Sequence, residues 1–254
     1  MLSWSSRRKL VYLGTVIVLG LAALTFVWRT YFTIPATCSD SVRNGNEQGV
    51  DCGGSCALLC RETTRDPVVL WARSFPNGEH TYTAAAYIQN NNLSAGVHGL
   101  GYAFQLFDAD NKLIIEQDGV IDLPPVVIIP LIEPTVEVGN RVVARTLLTF
   151  SHSPQWSRFS TEAEKHLSVS GQEFSPDGTR LSATIRNGSI FEVREIVVAG
   201  VLFDAEGVAR AASKSYIHAL PSQRSQEVVF TWPSGVELPQ GGIVRAEVTI
   251  LPSF

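Results

Sequence analysis

Nineteen consecutive residues from Leu10 to Trp28, LVYLGTVIVLGLAALTFVW, carry no charge. As a helix this run is about 28 Å long, the thickness of a bilayer core, and predicts a membrane span. Beyond Pro67 the pattern changes to short runs of alternating or β-branched residues, broken by Gly, Asn, Asp and Pro. Arg180 to Arg186 shows the alternation best: Leu181, Ala183 and Ile185 point one way and the polar residues point the other. Leu100, Tyr102, Phe104 and Leu106 form a second such face, and no window after residue 60 reads as a long amphipathic helix. The texture predicts antiparallel β-sandwiches.

The β region repeats itself. Gln105-Leu106-Phe107-Asp108-Ala109-Asp110-Asn111 aligns with Val201-Leu202-Phe203-Asp204-Ala205-Glu206-Gly207, and at the same offset of 96 Ile121 meets Ile217 and Pro125 meets Pro221. Upstream, Phe75 before Pro76-Asn77-Gly78 echoes Phe174 before Pro176-Asp177-Gly178, and Ile88-Gln89-Asn90 echoes Ile185-Arg186-Asn187. Six identities in the 21 positions from Gln105 to Pro125 mark these as diverged copies. Each copy of about ninety residues suits a seven-strand immunoglobulin-like sandwich. Asp108 and Asp204 are expected to open hairpin turns in which Asn111 and Gly207 take the left-handed conformation. The expected organisation is mainly β, with a cytoplasmic N-terminus (1–9), a transmembrane signal anchor (10–30), a cysteine-rich linker (31–65), a first sandwich (66–158) and a second sandwich (165–254). The boundary between the sandwiches falls in the polar stretch from Ser157 to His166.

Charge fixes the orientation. Arg7, Arg8, Lys9 and Arg29 face no acid within residues 1–30, so with an overall net charge of −4 the other 224 residues carry −8. Cations gathered before the span keep the N-terminus in the cytoplasm and send residues 31–254 outside. The competing reading is a cleaved signal peptide, whose apolar run is usually only about 7–15 residues. The acidic remainder offers no basic face for a phosphate backbone, so nucleic acid is not an expected partner.

Cys38, Cys52, Cys56 and Cys60 are the only cysteines and lie within 23 residues. In an oxidising compartment this predicts two disulfides, with three pairings open. The spacing lacks the Cys-x2-Cys pairs of zinc and iron–sulfur sites. Asp40, Asn44, Gly45 and Asp51 align with positions 1, 5, 6 and 12 of a calcium-binding EF-hand loop, but Val42 at position 3 cannot ligate. Asp40, Asn44, Glu47 and Asp51 remain a candidate Ca²⁺ set, against the plainer reading that the glycines make turns and the acids solvate them; no other cofactor is expected.

The stretch Cys38-Ser-Asp40-Ser-Val-Arg-Asn44-Gly45-Asn-Glu47-Gln-Gly49-Val50-Asp51-Cys52-Gly53-Gly54-Ser-Cys56 resembles a cysteine motif of bacterial secreted and surface proteins, which runs roughly C-x-D-G-x-x-N-G-x-E-x-G-V-D-C-G-G-x-C-x-x-C. Ser41 replaces the motif's Gly, and the gap before Cys60 is three residues in place of two. The paired Leu-Phe-Asp-Ala elements resemble FxLYD-like domains of bacterial envelope proteins. Anchor, cysteine motif, Trp71, the strand from Val142 to Phe150 and Pro154-Gln155-Trp156 together resemble a class of bacterial single-pass membrane proteins. The resemblance implies two sandwiches on a membrane stalk and supplies no catalytic residues.

The segment from Leu123 to Pro134 holds four prolines and seven aliphatic residues. Proline confines it to a sheet edge or a crossing between sheets. Val126, Val127, Ile128, Ile129, Leu131 and Ile132 are either core or a docking patch for a partner. His80, His98, His152, His166 and His218 are scattered, and Ser151-His152-Ser153 would point neighbouring side chains to opposite faces of a strand. The expected function is that of a non-enzymatic, single-pass binding or scaffolding protein of a bacterial cell envelope, with protein or envelope polymer as partner. A structural spacer, or an extracytoplasmic hydrolase or metal-dependent enzyme, is the alternative.

Overall fold

The computed structural model describes residues 4–32, 37–158, 166–175, 178–232, 236 and 245–252. The chain divides into two compact units, Met1–Cys56 and Ala57–Phe254.

In the first unit, helix α1 (Trp4–Phe32) contains the apolar stretch Arg8–Thr30, none of it buried in protein. The hydroxyls of Thr15 and Thr30 donate to carbonyls one turn earlier, those of Val11 and Phe26, each at 2.9 Å. Such internal bonding satisfies these two hydroxyls without water. Length and composition fit a membrane span and equally a signal sequence. The rest of the unit is the disulfide-stapled segment described below.

Among the described residues the second unit has thirteen strands: β1 (Val68–Pro76), β2 (Thr81–Asn90), β3 (Ala95–Phe107), β4 (Leu113–Leu123), β5 (Val127–Glu137), β6 (Arg145–Phe150), β7 (Ser157–Arg158), β8 (Leu167–Phe174), β9 (Arg180–Asn187), β10 (Val193–Phe203), β11 (Ala209–Leu220), β12 (Ser225–Thr231) and β13 (Arg245–Leu251). All pairings are antiparallel, in sheets ordered β1-β2-β5 and β4-β3-β6 in the first copy and β12-β9-β8 and β11-β10-β13 in the second. Reading β8 for β1, β9 for β2 and so on to β13 for β6, the topologies are identical, as the repeat requires. Among the described residues the first copy has seven strands, the seventh being the two-residue β7 that pairs only with the start of β3, and the second copy has six; no described strand lies on the outer edge of β6.

The copies share details that their side chains obscure. Asp108 Oδ1 accepts the N–H groups of Asp110 (3.1 Å) and Lys112 (2.9 Å), and Asp204 Oδ1 those of Glu206 (3.1 Å) and Val208 (2.7 Å). Asn111 and Gly207 are both left-handed, at φ 59° and 73°. At the corner after β2, buried Asn90 donates through Nδ2 to the Ala95 and Pro124 carbonyls, at 2.8 and 2.7 Å. After β9, buried Asn187 donates to the Phe191 and Leu220 carbonyls, at 2.8 and 3.0 Å. Each amide ties the end of its strand to two carbonyls, one just after the strand and one at a later corner. One alignment needs correction: Pro124, not Pro125, matches Pro221. The β3–β4 register shifts between Val97 and Leu100, so Leu123 and Leu220 occupy equivalent places and left-handed Val126 matches left-handed Gln223.

The two sandwiches are joined sheet to sheet. On β10, Ile196, Val198 and Leu202 enter the second core, while Ala199, Val201 and Phe203 join the cluster of the first. Ala84 to Ala86 of β2 belong to that same cluster and are fully buried. Tyr87 packs edge-on against Phe203 at 6.1 Å, stacks on Trp71 at 5.0 Å, and donates its hydroxyl to Glu247 at 2.7 Å. The small side chains of β2 and β10 let the two sheets approach, and both strands lose the alternation of a half-exposed strand because both faces are covered. The stretch after Cys56 also belongs to this body: Leu59 N–H donates to the Trp156 carbonyl (2.8 Å) and Arg158 N–H to that of Ala57 (3.1 Å). The linker expected over 31–65 is therefore divided, and residues 57–65 fold with the sandwiches. Residues 159–165 of the expected boundary, and Pro176-Asp177, lie outside the described residues.

Candidate functional site

Three places gather the side chains singled out by sequence or by geometry. The first is the cysteine segment. Cys38 and Cys56 are bonded to each other, Cys52 and Cys60 are each disulfide-bonded, and no free cysteine remains. A segment with so little apolar surface depends on such cross-links, which stabilise typically by about 2–4 kcal/mol each. Asp40, Asn44, Glu47 and Asp51 are drawn into one network. Asp51 accepts the N–H groups of Asp40 (3.0 Å) and Ser41 (2.9 Å), Asp40 accepts Val42 N–H (2.9 Å) and Asn44 Nδ2 (2.8 Å), and Glu47 accepts Asn44 N–H (3.2 Å). The bonds from Asn44 and then from Val42 hold the Asp40 carboxyl below its ordinary range. The acids thus cap turns whose sharpest points are Gly53 and Gly54; a Cβ on Gly54 would lie 1.6 Å from the Asn46 carbonyl oxygen. The one group of potential ligands that converges among the described residues is Cys38, Glu47 and Cys56, whose sulfurs are bonded to each other and are not thiolates.

The second place is the proline-rich segment. Pro124 and Pro125 turn the chain from one sheet to the other, and β5 is the edge of its sheet, with Pro130 opposite Tyr87. Ile129, Leu131 and Ile132 are buried, whereas Val126 and Ile128 are exposed and Val127 is half-buried. The six aliphatic candidates do not form one surface: alternation sends Ile129 and Leu131 into the first core and Ile132 toward the second sandwich.

The third place was not apparent from sequence. A cleft of about 260 Å³ opens where the sandwiches meet, lined by Tyr102, Asp122, Glu133, Lys214 and Tyr216 over an apolar floor that includes Leu131 and Ile132. Tyr102 donates its hydroxyl to Glu133 Oε1 at 2.6 Å, and Lys214 Nζ lies 4.0 Å from the same oxygen. Burial, and then the bond to Glu133, push the Tyr102 hydroxyl well above its ordinary pKa, so it is a fixed neutral donor. Asp122 accepts Gly99 N–H, and burial raises its carboxyl. Gly119 makes room for this arrangement, since a Cβ there would lie 2.3 Å from the Tyr102 ring. These groups are separated in sequence by up to about half the chain, and only the sheet-to-sheet contact assembles them. A larger cleft of about 780 Å³ lies where β1, the entry to β6 and the start of β11 converge, with Arg73, Arg145 and Arg210 on its walls. Arg145 stacks over Phe107 (4.8 Å), an arrangement repeated by Arg245 over Phe203 (4.4 Å).

No known protein family and no curated protein matches this chain. Among solved structures, red sea bream transglutaminase matches at 10% identity over 73% of this chain and 29% of its own, with a TM-score of 0.23. An exo-chitosanase, CsxA of Amycolatopsis orientalis, matches at 10% identity over 72% and 26%, with a TM-score of 0.20. The chain spans less than a third of either protein, and likeness at this level carries no argument about fold or activity.

Proposed function

We propose that this chain is a membrane-anchored binding or scaffolding protein of a bacterial cell envelope, held by α1 with its N-terminus in the cytoplasm and its β unit outside. The observation that carries the reading is the fusion of two sandwiches through their sheets: it produces a body whose clefts have fixed walls, suited to holding a partner in one geometry. The disulfides support an extracytoplasmic position, because thiols of this kind are kept reduced in the cytosol. The cations before the apolar run, and its length, favour a retained anchor over a cleaved signal. The reading is non-enzymatic. The ionisable groups of the smaller cleft are engaged with one another, Glu133 with Tyr102 and Lys214, in the manner of a structural latch.

In-cell cross-linking of the full-length chain, followed by mass spectrometry, tests the reading. One stoichiometric protein captured on the outer side is the expected result. Capture of wall or lipid material alone would make the protein a spacer, and turnover of an envelope substrate lost in Glu133→Gln without unfolding would make it an enzyme.

A further inference from the structure

The larger cleft combines an exposed strand edge with a cluster of cations. Six consecutive residues of β1 and its end, Ala72 to Asn77, line it. A run of consecutive residues, rather than alternate ones, means that the edge of the strand faces the cleft. Among the described residues that edge is unpaired, for β1 is terminal in its sheet and pairs only with β2. Beside it lies the entry to β6, Val143 to Thr146, whose own outer edge has no strand among the described residues. The β1 edge thus faces a cleft whose other walls are the entry to β6 and the start of β11. An unpaired edge that presents Phe75 among small and polar residues is a template for another extended chain.

Charge selects the occupant. The unit outside the anchor is acidic, yet three arginines and no acidic residue line this cleft. Arg210 is held by Asp204, Nε to Oδ2 at 2.6 Å, and Arg145 by the Phe107 ring, so neither guanidinium must be ordered on binding. Arg73 is exposed and makes no ion pair among the described residues. Thr146 Oγ1 is buried in the same wall, with its residue 7% exposed, and has no hydrogen-bond partner among the described residues. A buried hydroxyl without a partner is costly and points to a polar group supplied from elsewhere.

We infer that this cleft binds an extended acidic peptide segment of a partner protein, which adds as a strand to the β1 edge and sets its carboxylates on Arg73, Arg145 and Arg210. The inference rests on the binding role proposed above and names its site and ligand class. Main-chain bonds to an edge supply affinity, and alternate side chains supply selection.

The test uses the full-length chain in detergent and a fluorescent ten-residue peptide alternating Glu and Val, with three comparisons: the Lys–Val peptide, the Glu–Val peptide N-methylated at alternate amides, and inorganic polyphosphate. The acidic peptide is expected to bind, with affinity about tenfold weaker in Arg73→Gln, as for loss of one charge-assisted bond. It is also expected to weaken with salt and to lose binding on N-methylation. Arg73 is exposed, so an unchanged melting temperature verifies folding of the variant. No binding by the acidic peptide, or equal binding by the Lys–Val peptide, overturns the inference. Binding retained after N-methylation, or matched by polyphosphate, overturns strand addition in favour of a simple anion site. If cells yield a stoichiometric partner cross-linked elsewhere, this assignment fails while the proposed function stands; if they yield none, the function itself fails.

Discussion

Asn90 and Asn187 each do the work of two backbone donors. Both amides sit at the end of a strand and satisfy carbonyls from a following loop and from a corner about thirty-four residues on, Pro124 for one and Leu220 for the other. Replacing Asn187 by Ala leaves the buried Leu220 carbonyl without that donor, while the Phe191 carbonyl keeps the Ser189 hydroxyl, and should cost about 1–3 kcal/mol, read as a lowered midpoint in urea with unchanged slope. Asp204 allows a second test. Burial alone would raise its carboxyl, but the Val208 N–H, the Arg210 guanidinium and the Glu206 N–H outweigh it, and the pKa lies below the ordinary value. A carboxylate lowered in the folded state contributes stability that is complete above the unfolded pKa of about 3.9 and is lost as pH falls through the folded value. Melting temperature should therefore fall from pH 5 toward pH 2 in the parent, and less steeply in Asp204→Asn; parallel curves would show that this carboxylate does not control the acid limb. The Leu-Phe-Asp-Ala repeat made the turn readable from sequence, because a turn is a local property. The echo of Asn90 in Asn187 was visible too, but not its role, which depends on carbonyls brought from another sheet.

At the scale of the element, β5 decides what its prolines mean. Ile129 and Ile128 are neighbours with opposite fates, one 2% and the other 50% exposed. Ile129→Ala should cost about 2–5 kcal/mol through transfer and cavity, and Ile128→Ala no more than about 0.5 kcal/mol, both measured by denaturant unfolding. Similar losses at the two positions would contradict the register of β5 on β2. The prolines narrowed this segment to an edge or a crossing, since a residue without an N–H is excluded from a central strand paired on both sides. The strands β2 and β10 were harder, because Ala84-Ala85-Ala86 and Val197 to Val201 show no period of two. A strand covered on both faces has no polar side to betray its direction, so the alternation that announced β9 was absent where the two sandwiches meet.

The whole molecule differs from its sequence reading in one respect that governs the rest. The repeat implied two domains in tandem, but the copies share a buried layer in which Ala85, Tyr87 and Ile132 of the first face the β10 sheet of the second. Nothing in either copy alone marks this layer except an excess of small and aromatic side chains, and both clefts exist only because of it. Ala85→Leu, at a fully buried position in this layer, should destabilise by about 1–3 kcal/mol through overpacking. For a body of this size that is a fall of about 2–4 °C per kcal/mol, and it should carry both sandwiches with it.

Calorimetric unfolding of the full-length chain in detergent tests the fused body most directly. A body with one shared layer melts in a single transition whose calorimetric and van't Hoff enthalpies agree, and Ala85→Leu moves that whole transition downward. Two separable transitions, with only one displaced by Ala85→Leu, would show two independent sandwiches, and would remove the fixed clefts on which the binding role depends.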